Sequence, residues 1–356
     1  MNRKQFYQMT LWVVMACAFL PGCNKVDEPV EIIIPAEYIY VLNCGKDGSN
    51  NASLTLYDVE ARKVTQRFFE TQNGRRLGDT GQDLIVYGNK LFIAMFGEST
   101  IEVTDLEAKS IKQIKTEGKP RSLYAYGGKV YVTYFNGFVA RIDTASLEVE
   151  AKTAVGRNPE QLAVANGKIF VANSGGLDFN TETGYDRTVS VVDIATFKEE
   201  RKIEVVINPS ELVADHNGNI YVVSFGNYMD VPNTLQKIHA NTGVVSVLPD
   251  FNGTYLTATG NTLYTIYSLY DENWNQTVVY YAYDMTGNKV LSNRFTGDTR
   301  IDNPFQISSD AVTGDVYITA SDYLNDGDVY IFDSSHRFAG KFEAGLNPMK
   351  VIKIKR

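Results

Sequence analysis

A unit of four predicted β-strands recurs along the chain, and this repeat restricts the fold more than any other feature of the sequence. Each unit contains a proline-led strand, a Gly or Asn turn and a strand of aromatic and β-branched residues, as in RNPEQLAVANGKIFV at 157–171. A third strand follows and usually ends in Asp, and a fourth strand completes the unit. The period is about 40 to 50 residues, which with four strands per unit is typical of β-propeller blades.

Both inner strands of the unit occur seven times. The strand after the turn is found at 38–42, 90–95, 129–134, 168–173, 219–224, 262–267 and 315–320. The strand before the turn starts near Leu84, Leu123, Leu162, Leu212, Leu256, Ile307 and Val351. Because the first unit lacks a preceding strand, the C-terminal strand should supply it and remove the open edge. We therefore predict an all-β fold, a seven-bladed β-propeller of four-stranded antiparallel blades, closed by the C-terminal strand joining the N-terminal blade.

Most of the recurring side chains have a structural explanation. Proline fixes φ where the chain enters each innermost strand, a position at which a lost N–H is tolerated. The residue before proline is biased towards extended backbone, which we expect for Asn158, Asn208, Asn303 and Asn347, and an Asn side chain can also bond nearby backbone. Asp side chains commonly bond the backbone of a turn, and we predict this role at the ends of the third strands for Asp58, Asp105, Asp143, Asp193, Asp284 and Asp333.

The first residues have the pattern of an export signal. Arg3 and Lys4 precede an apolar run at 9–20, which is too short to span a bilayer. The next residues, Leu-Pro-Gly at 20–22 followed by Cys23, resemble the bacterial lipobox, in which the Cys becomes the lipid-carrying N-terminus. We predict a signal peptide at 1–22, the lipidated Cys23 and a tether at 23–36, and the propeller at 37–356.

The charge balance argues against a nucleic-acid partner. The chain carries 34 Lys and Arg against 42 Asp and Glu, and removal of the signal peptide takes away two basic residues, so the mature net charge is 32 minus 42, or −10. Nucleic-acid binding depends on clustered Lys and Arg, and no long basic run exists. Cys44 is then the one unmodified cysteine, so neither an intrachain disulfide nor a paired-Cys metal motif is expected.

Long loops on one face of the propeller are the predicted binding region. The loops between second and third strands are longest at 174–187, 225–233, 268–276 and 321–328, and they share a face with the connections between blades. Long loops on a rigid scaffold commonly carry function. Exposed aromatic rings beside hydrogen-bonding groups suit a large, partly apolar, amide-rich or hydroxyl-rich ligand. The candidate ligand-binding residues are Arg121, Phe135, Arg157, Phe179, Tyr185, Phe225, Tyr228, Tyr267, Tyr270, Trp274, Phe305 and Tyr323.

Catalytic signals are few, and we expect no enzyme, no catalytic residue, no metal site and no cofactor. His216, His239 and His336 fall in different turns or strand ends and do not converge, which disfavours a hydrolytic triad or a His-based metal site. An enzyme of the lyase or lactonase type would need a metal or paired carboxylates at the axial mouth, where acidic residues start three inner strands. These residues are Asp83, Glu160 and Glu211.

The NP-x-x-L strand, the G-x-hydrophobic-YV strand and the third strand ending in Asp, repeated over 37–356, resemble the YncE-like or YVTN class of seven-bladed surface-layer propellers. With the lipobox and the acidic pair Asp27 and Glu28, the chain resembles surface lipoproteins of Bacteroidota. Among these it is similar to the cobalamin-binding lipoproteins that cap a TonB-dependent vitamin B12 transporter. The resemblance covers nearly the whole mature chain, and no family motif for the cobalamin contacts is carried over.

This resemblance implies capture of cobalamin or a related corrinoid as a ligand, with transfer to a TonB-dependent outer-membrane transporter. It also implies a lipid anchor at Cys23 in the outer membrane, facing the cell exterior. No His lies on the predicted binding face, so we expect the protein not to replace the axial ligands of cobalt. Two alternatives stay open: a surface propeller that binds glycan, peptide or a partner protein, and an enzyme of the lyase or lactonase type.

Overall fold

The computed structural model describes residues 37–270 and 276–355, and it consists of seven four-stranded antiparallel sheets. The signal peptide, Cys23 and the tether predicted for 1–36 lie outside the described residues. Each innermost strand contacts the innermost strands of both neighbouring sheets, so the sheets form a closed ring. The sequence prediction of a seven-bladed β-propeller is confirmed.

In blades two to seven, short turns join the two inner strands, whereas in blade one these strands come from the two ends of the chain. The innermost strands, in blades two to seven and then blade one, are β4 (Gly81–Tyr87), β8 (Pro120–Tyr126), β12 (Pro159–Ala165), β16 (Pro209–Ala214), β20 (Tyr255–Thr259), β24 (Pro304–Ser309) and β28 (Pro348–Lys355). The second strands, in blades one to seven, are β1 (Glu37–Asn43), β5 (Lys90–Met95), β9 (Lys129–Tyr134), β13 (Lys168–Asn173), β17 (Asn219–Ser224), β21 (Thr262–Tyr270) and β25 (Val316–Ala320).

The two outer strands follow in the same order. The third strands are β2 (Ser53–Asp58), β6 (Thr100–Thr104), β10 (Phe138–Asp143), β14 (Thr188–Asp193), β18 (Thr234–His239), β22 (Gln276–Asp284) and β26 (Asp326–Phe332). The outermost strands are β3 (Lys63–Thr65), β7 (Ser110–Lys115), β11 (Glu148–Ala154), β15 (Lys198–Glu204), β19 (Val245–Val247), β23 (Lys289–Ser292) and β27 (Phe338–Leu346).

In the part of the chain that the structure describes, helix occurs only in connections between strands. Helix α1 (Phe68–Asn73) lies between blades one and two, and a short 3-10 turn spans Gly176–Asp178. Over residues 37–270 and 276–355, no helix is long and apolar enough to cross a membrane.

The ring is closed by both ends of the propeller chain, as predicted. Strand β28 pairs antiparallel with β1, and Val351 lies opposite Val41. Both valines are almost fully buried, so the pairing completes the hydrophobic core between blades one and seven. The sheet edge that blade one would otherwise expose is therefore covered.

Each second strand inserts a large aromatic side chain between neighbouring blades. These rings are all buried, at Tyr40, Phe92, Tyr131, Phe170, Tyr221, Tyr264 and Tyr317. Several hydroxyls bond the turn between the third and fourth strands of the next blade, as Tyr40 Oη does to the carbonyl of Leu106 at 2.8 Å. Since these strands are packed on both faces, they lack the in/out alternation of a half-exposed sheet.

The six Asp residues that end third strands cap the following turns, which confirms their predicted structural role. The Oδ1 atom of Asp143, for example, accepts hydrogen bonds from the N–H groups of Ala145 and Ser146. The same contact to a turn N–H occurs at Asp58, Asp105, Asp193, Asp284 and Asp333. These carboxylates therefore serve the fold.

The prediction that Asn before proline would be extended is wrong. All four residues have φ between 45° and 61°, in the left-handed region, at Asn158, Asn208, Asn303 and Asn347. In this conformation the carbonyl of Asn208 accepts the N–H of Phe225 at 2.9 Å, and its amide donates to the carbonyl of Gly226 at 3.2 Å. Asn tolerates left-handed backbone, and bonds to the neighbouring loop outweigh the local effect of proline.

The substitution Asn208→Ala should therefore destabilise the protein by about 2 kcal/mol, because it combines left-handed strain with loss of a buried hydrogen bond. Asn208→Gly keeps the backbone conformation and should cost less. Urea unfolding followed by circular dichroism measures both. If both variants lose the same stability, the whole effect comes from the side-chain hydrogen bond of Asn208. If both are as stable as the wild type, the explanation is refuted.

Candidate functional site

The loops between second and third strands and the connections between blades lie on one side of the ring, here called the long-loop face. Its loops include 174–187 in blade four, 225–233 in blade five and 321–325 in blade seven. In blade six, residues 268–270 and 276 of the predicted loop are strand, because β21 and β22 stay paired as far as Tyr270 and Gln276. No Gly or Pro interrupts these two strands, so nothing local ends the pairing earlier.

One position on this face is equivalent in every blade, directly after the second strand or, in blade six, within it. It is occupied by Cys44, Phe96, Phe135, Ser174, Phe225, Ser268 and Ser321. Phe96 is not among the residues predicted from the sequence, although it matches Phe135 and Phe225 in register and also precedes a loop containing Gly. Three phenylalanines thus start the loops of blades two, three and five on this face.

Arg121 joins the aromatic residues of blades two and three. Its guanidinium carbon lies 5.3 Å from the ring centre of Phe135 and 5.6 Å from that of Phe96. These two rings meet edge to face at 5.6 Å, and the Lys119 ammonium lies 4.7 Å from Phe96. Cations over ring faces stabilise such clusters, so this side of the axial mouth is held in one arrangement.

Three further aromatic pairs lie on blades four, five and seven. The ring centres are 6.3 Å apart for Phe179 and Tyr185, 6.4 Å apart for Phe225 and Tyr228, and 5.4 Å apart for Phe305 and Tyr323. In each pair one ring is more exposed, namely Phe179, Tyr228 and Tyr323. The structure thus combines half of the predicted binding residues into three pairs, each with one outward-facing ring.

The long loops of blades four and five lie close to each other. The Tyr228 residue is 73% exposed overall. Its phenol nevertheless lies beside the Asn208 amide and near Tyr185, and local burial followed by the Tyr185 phenol raises its pKa. The two aromatic pairs are therefore adjacent parts of one surface.

Arg157 has a different environment from the other candidates. Its guanidinium pairs with Asp178 and lies 3.8 Å from Asp186, and it donates to the carbonyl of Gly184 at 3.0 Å. All three partners belong to the long loop of blade four. Arg157 therefore holds that loop in position, and it also lines a cavity of about 350 Å³ beside Phe135.

The remaining candidates belong to blade six. Tyr267 is half-buried within β21 and interacts with Asn252, while burial raises its pKa. Tyr270 ends β21 next to the 271–275 segment. Trp274 lies outside the described residues. Blade six therefore contributes Tyr267 to the described part of the long-loop face.

A cavity of about 500 Å³ occupies the axis between the innermost strands, bordered by Phe225 and Phe305. Each innermost strand has one buried Leu, Ile or Val near its start, and the residue just before it lines the cavity. These seven form a mainly polar ring, made of Asp83, Ser122, Gln161, Glu211, Tyr255, Gln306 and Lys350. Arg121, Glu160 and Gln82 lie one residue earlier on their strands, and all three line the same cavity.

Two of the three carboxylates at this mouth are engaged by neighbouring blades. Glu160 lies 2.6 Å from the guanidinium of Arg121 and accepts a bond from Ser174 Oγ at 3.2 Å. Asp83 accepts bonds from the N–H groups of its own strand and of Leu123, and Lys350 lies 3.7 Å away. The bonds of Glu160 to Arg121 and of Asp83 to Leu123 and Lys350 cross from blade to blade, so they also stabilise the inner ring.

Glu211 is the exception among the acidic residues. It is 8% exposed, and its Oε2 atom accepts a hydrogen bond from the neutral Gln161 amide at 2.7 Å. Within the described residues it forms no ion pair. Burial, with a smaller effect of Glu160, raises its pKa to about 8, although Lys350 opposes the shift. The side chain is therefore a neutral acid at pH 7 and can donate a hydrogen bond.

The cysteine on this face is not a reactive thiolate. Cys44 is half-buried, and burial raises its pKa to about 11. The thiol is therefore protonated at neutral pH. Among the described residues, no group of three or more His, Cys, Asp and Glu side chains is arranged to hold a metal ion.

Comparison with known proteins places the chain in a family and supports its fold. The chain is similar to the hydrazine synthase structure of Kuenenia stuttgartiensis, with 15% identity and a TM-score of 0.61, covering 76% of this chain and 93% of that one. It is also similar to a quinonprotein alcohol dehydrogenase-like protein of Bacteroides thetaiotaomicron, with 14% identity, a TM-score of 0.59, and coverage of 88% and 77%. At such identities the likeness extends to the fold alone.

No curated protein sequence matches the chain significantly. A family model does match, over residues 37–336, which is most of the propeller. The chain therefore belongs to the family described as Domain of unknown function (DUF5074).

Proposed function

We propose that the protein is a binding module whose long-loop face captures cobalamin or a related corrinoid and passes it to an outer-membrane transporter. The observation that carries this proposal is the set of paired aromatic rings around a polar axial mouth. Such a surface suits a ligand with a broad apolar plane and a hydrogen-bonding periphery.

The aromatic pairs match the apolar part of such a ligand. A corrin ring has wide apolar faces, which the exposed rings of Phe179, Tyr228 and Tyr323 can contact. Because each of these rings packs on a second aromatic side chain, it is already ordered before binding. A preorganised surface loses less side-chain entropy when the ligand binds.

The polar part of the face matches the amide groups at the edge of a corrin. Asn and Asp side chains in the loops, the Arg121 guanidinium and the axial ring supply donors and acceptors between the aromatic pairs. Within the described residues no His occupies the long-loop face, so the proposal includes no replacement of the axial cobalt ligands. A new His-ligation band in the absorption spectrum of bound cobalamin would contradict this part.

Capture in this proposal involves no chemical step. Asp83 and Glu160 are engaged by basic and backbone groups, and Glu211, with its pKa raised by burial, is a neutral acid at pH 7. A hydrolytic or lyase mechanism needs a base that is free to reach the substrate. We accordingly expect the ligand to be recovered unchanged, with no loss of binding in EDTA.

The proposed setting is the outer membrane, through a lipid at Cys23, with a TonB-dependent transporter as the partner. Apolar loop tips support a protein contact on the same face, since Met229 and Leu324 are 88% and 83% exposed. Exposed apolar groups that cluster on one face commonly mark an interaction surface. Mass spectrometry of the purified mature protein would test the acyl group on Cys23.

Titration calorimetry with cyanocobalamin tests the central proposal. The wild-type protein should bind one equivalent, and Tyr228→Ala should weaken binding by at least about tenfold, because an exposed aromatic contact of roughly 1.5 kcal/mol is lost. The matched control is Tyr126→Ala, since Tyr126 is also exposed but ends β8 on the opposite face. That variant should bind like the wild type.

A null calorimetric result would remove the corrinoid proposal. Pull-down on cellulose or mixed glycans, run with the same protein samples, would then test the glycan alternative. Equal losses of affinity for Tyr228→Ala and Tyr126→Ala would also contradict the assignment of the site to the long-loop face.

A further inference from the structure

The axial cavity is large enough to accept part of a ligand. Its volume of about 500 Å³ lies within the range of small-molecule pockets. Phe225 and Phe305 stand at its border, and each is paired with an exposed Tyr of the long-loop face. The cavity is therefore continuous with the proposed binding surface.

The charges at its mouth are largely satisfied by one another. Arg121 lies 2.6 Å from Glu160, and Lys350 lies 3.7 Å from Asp83. A charged group entering the cavity would lose hydration and would have to break one of these pairs to gain a partner. Both costs are large for a buried charge.

Beside these charges the lining contains uncharged hydrogen-bonding groups, together with apolar side chains. The hydrogen-bonding groups include the amides of Gln82, Gln161 and Gln306 and the hydroxyls of Ser122 and Ser210. Glu211 lies among them, and one of its oxygens accepts a hydrogen bond from the side-chain amide of Gln161. The other oxygen is available to a group inside the cavity.

We propose that the axial cavity is a subsite for an uncharged carboxamide or hydroxyl group of the ligand, and that Glu211 determines this specificity by donating a hydrogen bond to it. The groups that face Glu211 from the surrounding strands are Lys350, Glu160 and Arg121. Asp83 and Tyr255 complete the titratable groups of the ring. The raised pKa of Glu211 agrees with a protonated donor, but the geometry and the pairing of charges carry the inference.

The inference adds to the proposed function and rests on it for the identity of the natural ligand. Its test uses small probes instead of cobalamin, so that the two proposals can fail separately. The probes are propionamide, propionate and propylammonium, which are similar in size and differ in charge. At pH 6.5 we expect propionamide to bind with a Kd on the order of 10 mM, as a ligand of this size allows, and the two ions to bind at least about tenfold more weakly.

Methionine methyl groups give a site-specific readout by NMR. Met349 lines the axial cavity, Met229 lies on a long loop, and Met285 is buried in a turn of the opposite face. Propionamide should shift the Met349 methyl signal and leave those of Met229 and Met285 unchanged. Shifts of Met229 alone would mean that the amide binds the loops, and this result would overturn the inference.

Variants of Glu211 test its role. Wild-type affinity for propionamide should fall by about fivefold between pH 6.5 and pH 9.5, because ionisation removes the donated proton. Glu211→Gln keeps a donor at the same position, so its affinity should stay within about twofold of the pH 6.5 value at both pH values. The matched control Glu204→Gln, at an exposed end of β15, should retain the wild-type pH dependence.

Three results would overturn the inference. The first is equal binding of all three probes, the second is the absence of any shift at Met349, and the third is a pH dependence that persists in Glu211→Gln. Because the probe series is measured on the wild-type protein, the inference stays testable even if the variant fails to fold.

Discussion

Val351→Asp is expected to abolish most of the stability of the propeller. Val351 is 1% exposed in β28 and pairs with Val41 across the seam that joins the two ends of the chain. A carboxylate there would be buried without a partner, which costs about 4 kcal/mol or more. The total free energy of unfolding of a native protein is about 5 to 15 kcal/mol. A large part of the population should therefore unfold or open at blade one.

The matched control is Val86→Asp, on the innermost strand of blade two. Val86 is 38% exposed, so the new carboxylate stays hydrated and should cost about 1 kcal/mol or less. Urea unfolding followed by far-UV circular dichroism compares the two variants with the wild type. Unfolding midpoints that are equal for both variants would show that closure by β28 contributes no more than an ordinary surface position.

Glu211→Gln is expected to stabilise the protein at alkaline pH. The folded-state pKa of Glu211 is raised to about 8 from 4.5, so over this range the folded protein holds a proton that the unfolded chain has lost. Rising pH therefore favours unfolding, and this contribution to stability, present below about pH 4.5, is lost as the pH rises through about 8. The amide of Gln does not titrate, so the variant should keep its stability.

We expect the two proteins to differ by less than about 1 kcal/mol at pH 5, and the variant to be more stable by roughly 3 to 5 kcal/mol at pH 9. Urea unfolding at both pH values measures this, with Glu204→Gln as an exposed control that should follow the wild type. A constant difference at both pH values would mean that Glu211 ionises normally in the folded protein.

Blade number, strand positions, ring closure and turn caps could all be predicted from the amino-acid sequence. Blades, strands and turn caps are repeated along the chain and depend on residues close together in sequence, and ring closure follows from counting the strands of each kind. The strand predicted at 129–134, for example, has these bounds in the structure. Asp143 caps a turn that begins at its own position. Local periodicity and turn chemistry are sufficient for features of this kind.

The candidate site depended much more on tertiary structure. The left-handed φ of Asn208 results from bonds to the loop that begins at Phe225. Arg157 pairs with Asp178 and holds the 174–187 loop in position, and this role depends on how that loop folds. The aromatic pairs of the long-loop face likewise depend on loop conformations, which strand periodicity does not specify. The sequence could name these residues as candidates but not their partners.

The axial ring illustrates the physical reason. Asp83, Glu160 and Glu211 have the same residue class and nearly the same position on three inner strands. They differ because other blades supply Lys350, Arg121 and Gln161 as their respective neighbours. The sequence determined that acidic groups would line the axis. Only the tertiary structure decided which of them would be ion-paired and which would be buried as a neutral acid, because charge pairing and desolvation depend on distances between blades.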